Sequence, residues 1–246
     1  MMKHGGRRMA TASGAVLADA ERAGGLIDTA GESLFDPAFW DVRSELSPAG
    51  AGRGSAWFIG SGKHRWVLRH YRRGGFIARF SKDRYVWTGE PRVRAFAEFR
   101  LLATLEAQGL PVPRPIGARY RRAGWSYRCD LITQRIEDAE PLSAMLEARV
   151  LDVVSWRAIG AAVGRLHRAG VDHADLNAHN ILLGAQGVTV IDFDRGRLRA
   201  PGAWAARNLA RLRRSLVKIS AAWPPERFPP AAWSAFLEGY SSGMPS

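Results

Sequence analysis

The chain has 246 residues, 46% of them hydrophobic, with 36 Lys and Arg against 23 Asp and Glu and a formal charge of +13. That composition supports a substantial buried core and excludes a disordered chain, and with no run of eighteen apolar residues a membrane-spanning helix is not expected. A single cysteine, Cys129, rules out an intramolecular disulfide and suits a reducing compartment, while the excess of base points to a polyanionic partner.

Lys3, Arg7 and Arg8 open the chain as a secretory leader would, but Thr11, Ser13, Gly14 and Asp19 interrupt the segment before any long apolar run develops, so no export signal is expected. Residues 1–30, rich in Gly, Ala and charge, read as a loosely ordered extension. The packed chain begins near Leu34, with Asp36 as an N-cap and Pro37 at the first helical position. A glycine-rich stretch, Gly50 to Ser55, leads into a hairpin whose turn is Gly60-Ser61-Gly62-Lys63-His64 and whose second strand is Arg65 to Tyr71. Arg72 to Trp87 then mixes bases with aromatics, a pattern that fits an anionic, partly apolar ligand and equally a hairpin with solvated charges.

Residues 92–108 form a helix in which Phe96, Phe99, Leu102 and Leu105 recur at spacing three, closed by Gly109 and the prolines at 111, 113 and 115. Two strands, Val112 to Tyr120 and Tyr127 to Gln134, flank the turn residues Arg121 to Gly124. A short helix is expected from Pro141 to Leu151 and a long one from Ser155 to Arg168, stopped by Gly170. Between Arg195 and Pro225 stand eight basic residues and no acidic one. Leu209, Leu212, Leu216 and Ile219 give this stretch one apolar helical face, read as entering the core while the basic remainder is available to an anionic membrane surface. A last helix spans Ala231 to Tyr240.

The chemistry concentrates after the long helix. His173, Asp175 and Asn180 follow the pattern H-x-D-x-x-x-x-N, and after an apolar run Asp192-Phe193 comes twelve positions beyond Asn180. This is the arrangement of a phosphoryl-transfer catalytic loop. Asp175 is then the catalytic base for an acceptor hydroxyl, and Asn180 and Asp192 are oxygen ligands for Mg2+, a hard ion that keeps several waters and needs few protein ligands. His173 reads as a loop support rather than a proton carrier. An Asp and an Asn capping a turn between helix and strand account for part of the pattern without chemistry, but do not require the later Asp-Phe.

The same template asks for nucleotide-binding groups upstream. Gly52-x-Gly54 matches the first two glycines of a loop over the ATP phosphates, with Trp57 where a third glycine is usual. Arg69 stands where a strand lysine is expected, and Glu98 is the helix glutamate that would pair with it.

At these strings, together with Val67 to Gly75, Leu166 to Val171 and Ile191 to Arg197, the chain resembles the lipopolysaccharide core kinases of Gram-negative bacteria. The resemblance implies an α+β, protein-kinase-like, two-lobed fold with a small β-rich N-lobe carrying one main helix and a larger helical C-lobe. The division expected is an N-lobe over residues 31–136 and a C-lobe over 137–246. It also implies ATP as co-substrate and phosphorylation of the 3-deoxy-D-manno-octulosonic acid (Kdo) sugar, at its 4-hydroxyl, on a Kdo-lipid A precursor. The implied location is the cytoplasmic face of the inner membrane, as a peripheral protein. No nucleic acid and no obligate protein partner are expected. Three alternatives stay open: a heptose kinase of the same pathway, another small-molecule phosphotransferase, and a catalytically silent kinase-like module that binds anionic lipid or nucleic acid. The last draws on Arg69, Trp57 and Asp194, each of which departs from the usual kinase residue.

Overall fold

The computed structural model describes residues 6–49, 56–72 and 83–242. It divides into two compact units, Met1–Thr104 with Arg114–Arg135, and Leu105–Pro113 with Ile136–Ser246.

The first unit contains β1 (Arg7–Thr11), β2 (Gly14–Ala18), α1 (Leu26–Ala30), α2 (Pro37–Asp41), β3 (Leu46–Pro48), β4 (Ala56–Ile59), β5 (Trp66–His70), β6 (Tyr85–Val86), most of α3 (Arg94–Ala107), β7 (Pro115–Ala123) and β8 (Ser126–Gln134). Among the described residues these eight strands make one antiparallel sheet, ordered β1-β2-β7-β8-β5-β4-β3 with β6 against β8. β8 is buried along most of its length, as a central strand must be, and Cys129 lies in it with no exposure. Phe96, Phe99, Leu102 and Leu105 of α3 are all buried, as their spacing requires.

The expectation of a loosely ordered extension over residues 1–30 is corrected. Arg7 to Ala18 form a hairpin that extends the sheet, with Val16 opposite Arg119 of β7, and Ala15, Val16 and Leu17 buried. The apolar run is too short to display a period, and its partner strand lies about a hundred residues away in the chain, so the pairing leaves no local signal. Asp36 precedes α2 but makes no capping hydrogen bond. Its carboxylate accepts instead from Nη2 of Arg119 at 3.1 Å. Arg119 is 1% exposed, and a guanidinium that deep needs every donor matched. It donates to Asp130 at 2.9 Å and to the carbonyls of Glu32 and Phe35 at 2.9 and 2.8 Å, which stitches the segment before α2 to the sheet.

β4 and β5 pair from Ala56 opposite Arg69 to Ile59 opposite Trp66, with the second glycine cluster as their turn. The stretch between β3 and β4 that holds Gly52 and Gly54 lies outside the described residues, as do residues 73–82 of the basic and aromatic segment.

The second unit contains β9 (Ala139–Pro141), α4 (Leu142–Ala148), α5 (Val153–Arg168), β10 (Val171–Asp172), β11 (Ile181–Gly184), β12 (Gly187–Val190), β13 (Arg197–Leu198), α6 (Trp204–Ser220) and α7 (Pro230–Ser242). α5 starts two residues before the expected Ser155, because Asp152 caps it by accepting from the Ser155 N–H at 2.7 Å. β9, β11 and β12 form a small antiparallel sheet, and Val190 N–H donates to Pro111 O at 2.9 Å, which explains why residues 105–113 belong to this unit.

α5 and α7 cross at backbone contact. A Cβ on Gly160 would lie 1.9 Å from Phe236 O, and one on Gly239 would lie 2.0 Å from Arg157 O. Gly239→Ala is therefore expected to lower stability by about 1–3 kcal/mol, since the obstructing atom is backbone and cannot rotate away; chemical denaturation of the variant against the native chain measures this.

His167, on α5, packs edge-on against Trp204 of α6 with ring centroids 5.3 Å apart, and its Nδ1 is 2.9 Å from the Tyr240 hydroxyl of α7. Burial pushes its pKa down to about 4. The unfolded imidazole binds a proton near pH 6.5 that the folded one refuses, so its contribution to stability is present above pH 6.5 and is lost as pH falls toward 4. Thermal melts across that window should show a stability slope that flattens in His167→Gln; an unchanged slope in the variant would remove His167 as its source.

Candidate active site

α5 ends beside β10, and β10 delivers the chain to the loop that begins at His173. Only 2% exposed, His173 uses both of its ring nitrogens. Its Nδ1 accepts from the Asp175 N–H at 3.2 Å, which puts the ring proton on Nε2, and that proton is donated to Ile191 O at 3.0 Å. The ring rests on Phe193 with centroids 4.7 Å apart. Burial holds its pKa below the ordinary histidine value, so the ring stays neutral and braces the loop.

Asp175 projects from this braced turn with its side chain 58% exposed. The Asp175 carbonyl accepts from Nδ2 of Asn177 and from Nδ2 of Asn180, both at 3.0 Å. Asn180 thus uses its donor end to hold the backbone of Asp175, and its amide oxygen is the end suited to a metal ion.

Asp192 arrives through the β11–β12 hairpin. Ile181 pairs with Val190 across it, and the Ile191 N–H donates to Asn180 O at 2.9 Å, extending the ladder one step to set Asn180 opposite Ile191. Asp192 comes next, with φ of 64°, a left-handed conformation unusual for a residue with a side chain. Phe193, 1% exposed, anchors the turn from below. Asp175, Asn180 and Asp192 are thereby brought to one end of the hairpin. Among the described residues no group of three or more His, Cys, Asp or Glu is arranged to hold a metal ion. The donor set at this end is one amide oxygen and carboxylates, all hard, which fits magnesium completed by water and phosphate oxygens.

Arg69 and Glu98 lie in the first unit, and they pair there. Glu98, 4% exposed, accepts from the Arg69 guanidinium and from the Tyr71 hydroxyl at 2.5 Å, while Arg69 Nη2 lies 2.9 Å from the Tyr71 hydroxyl oxygen. Tyr71 was not expected here; the signal for it is strand alternation, which sets residues 69 and 71 on one face. Gly52 and Gly54 lie outside the described residues.

The role of α6 was not legible in the sequence either. Trp204, Asn208, Leu212 and Leu216 are its buried positions, spaced by four. Asn208 accepts from the His173 N–H at 2.9 Å and donates to Asp172 Oδ1 at 2.9 Å. Burial pushes Asp172 up, but hydrogen bonds from Arg199 and Asn208 outweigh it and hold the carboxyl below its ordinary value. Ser215 Oγ accepts from the Ala178 N–H at 3.3 Å, and Arg211 Nη1 reaches Asp175 Oδ1 at 3.2 Å. The available clue was an amide on a core position of an otherwise apolar and basic helix, since a buried amide needs partners.

A sheet carrying a partly buried strand-to-helix ion pair, and a braced H-x-D-x-x-x-x-N loop with Asp-Phe after the next hairpin, define a protein-kinase-like phosphotransferase. The chain matches the model of the lipopolysaccharide kinase (Kdo/WaaP) family over residues 37–240, and it belongs to that family. It is 49% identical over 208 residues to the 3-deoxy-D-manno-octulosonic acid kinase of Xanthomonas axonopodis pv. citri (strain 306), covering 84% of this chain and 81% of that one. It is 48% identical over 211 residues to the enzyme of the same name from Stenotrophomonas maltophilia (strain K279a), with the same coverage. Among solved structures, WaaP in complex with acyl carrier protein superposes with a TM-score of 0.54 at 18% identity, covering 87% of this chain and 86% of that one, a likeness of fold.

Asn208→Ala should remove the side-chain acceptor of the buried His173 N–H. A loss of about 1–3 kcal/mol in denaturation experiments is expected, together with a fall in turnover as the loop loses its brace; a variant as stable and active as the native chain would contradict that role.

Proposed function

We propose that this protein transfers the γ-phosphoryl group of ATP to a hydroxyl of Kdo, the 4-hydroxyl, on a Kdo-lipid A precursor during lipopolysaccharide core biosynthesis. The observation that carries the reading is the convergence of Asp175, Asn180 and Asp192 at one end of the β11–β12 hairpin. The 48–49% identity to enzymes named for this acceptor supports the choice of sugar.

In the step proposed, Asp175 accepts the proton of the acceptor hydroxyl as its oxygen bonds to the γ-phosphorus. The bond to the β–γ bridging oxygen breaks, and ADP departs with that electron pair. Asn180 and Asp192 would hold Mg2+, which when bound neutralises charge on the phosphates. His173 and Asn208 keep the backbone of this loop in place. Arg69, steadied by Glu98 and Tyr71, would contact the nucleotide phosphates, as would the loop bearing Gly52 and Gly54.

No helix among the described residues is long and apolar enough to cross a membrane. Arg207, Arg213, Arg214 and Lys218 lie on the exposed faces of α6. This supports peripheral attachment to anionic lipid at the cytoplasmic face of the inner membrane, where the acceptor would be met.

The test is phosphate transfer from ATP to Kdo-bearing lipid A precursor, with the product identified by mass. Asp175→Ala is expected to lower kcat by about 10²–10⁴-fold while remaining folded. Equal turnover in variant and native chain would remove Asp175 as the base, and transfer to a heptose alone would move the acceptor.

A further inference from the structure

α6 does more than brace the catalytic loop. Its residues Asn208, Arg211 and Ser215, at spacings of three and four, share one helix face. They meet loop residues in matching order: Asn208 at His173, Arg211 at Asp175, Ser215 at Ala178. The two outer contacts engage backbone N–H groups and hold the helix in register along the loop. The middle one is different in kind. Arg211 Nη1 lies 3.2 Å from the carboxylate oxygen of the proposed base, and the two side chains are 49% and 58% exposed. A pair that open to solvent contributes little to stability and exchanges readily, so a second carboxylate can take the guanidinium from the one oxygen of Asp175 that it holds.

We propose that Arg211 is the residue that binds the carboxylate of the acceptor sugar acid, exchanging Oδ1 of Asp175 for it and so bringing the acceptor hydroxyls beside Asp175. The inference rests on the function proposed above, in which the acceptor is an octulosonic acid carrying a carboxylate on the same ring as its hydroxyls. A guanidinium accepts one carboxylate in place of another with its planar fork satisfied throughout. With the acceptor absent, the guanidinium rests on Oδ1 of Asp175. When the acceptor arrives, its carboxylate takes the guanidinium, and its hydroxyl comes to Asp175 within the same few ångströms. A neutral sugar offers the guanidinium no carboxylate, so the arrangement selects for acidic acceptors by affinity.

The experiment compares the Kdo-bearing acceptor with the same acceptor whose carboxylate is converted to the carboxamide, using the native full-length chain, Arg211→Ala and Arg211→Lys. Removing a charged hydrogen-bond partner is expected to raise the acceptor KM by about ten- to a hundredfold in Arg211→Ala, with KM for ATP little changed and partial recovery in Arg211→Lys. The native chain should lose a similar factor on the carboxamide, and the two losses should not multiply when combined. Arg211→Ala losing the same factor on both acceptors, or losing kcat with the acceptor KM unchanged, would overturn the proposal. If the native chain phosphorylates neither acceptor, the functional reading itself fails, whereas native activity with no discrimination by Arg211 sinks only the carboxylate assignment.

Discussion

The hydrogen bond from the Ile191 N–H to Asn180 O, at 2.9 Å, is the constraint on which the arrangement of Asp175, Asn180 and Asp192 depends. It continues the β11–β12 ladder beyond its last strand pair and fixes Asn180 opposite Ile191. Cross-strand partners share a face and neighbours along a strand alternate, so extended backbone would send Asp192 to the side away from Asn180; the left-handed backbone at Asp192 ends that alternation directly after the paired residue. Ile191 serves the site with both backbone groups, since its carbonyl also receives the His173 ring proton at 3.0 Å. One peptide thus ties the hairpin to the loop that carries Asp175. The strain of Asp192 at φ of 64° is held by this framework and by the buried Phe193 beneath it.

Around that centre the support is polar and buried, which makes it specific. Asn208 is 6% exposed and bonds two groups of the loop segment, the His173 N–H and the Asp172 carboxylate, and one of its own helix, the Trp204 carbonyl. An apolar residue of the same volume would fill the space but would leave the His173 N–H buried and unmatched. α6 therefore has two functions on two sides: the spacing-four stripe with Arg211 and Ser215 beside it meets the core and the loop, and Arg207, Arg213, Arg214 and Lys218 face outward. The glycine contacts of α5 with α7 allow these helices to approach closely enough for His167 to bridge from α5 to both Trp204 and Tyr240.

The arginine at position 69 has a physical rationale within its own unit. A planar guanidinium can lie close to Glu98 and to the Tyr71 hydroxyl at once, and its carbon stands 4.6 Å from the centroid of the Tyr71 ring. The compact ammonium of a lysine offers no such face. Tyr71 is fully buried and its hydroxyl is held well above its ordinary pKa chiefly by that burial, so it stays a neutral donor to Glu98.

Reading the chain alone was sufficient for elements whose cause is local. The helix at residues 94–107 comes from apolar spacing, the hairpin at 60–65 from its glycines, and the placement of Asp175, Asn180 and Asp192 from a short motif whose spacing is set by one loop and one hairpin. The roles of Arg119, Tyr71, Asn208 and Arg211, and the strand character of residues 7–18, were not legible there. Each depends on a partner distant in the chain, apart from the short-range pairing within the first hairpin, and the same side chain would read as exposed charge or loop until its neighbour is known. Local propensity and spacing are written into adjacent residues, whereas matching a buried donor to an acceptor is a property of folded space, and only the packed chain brings the two together.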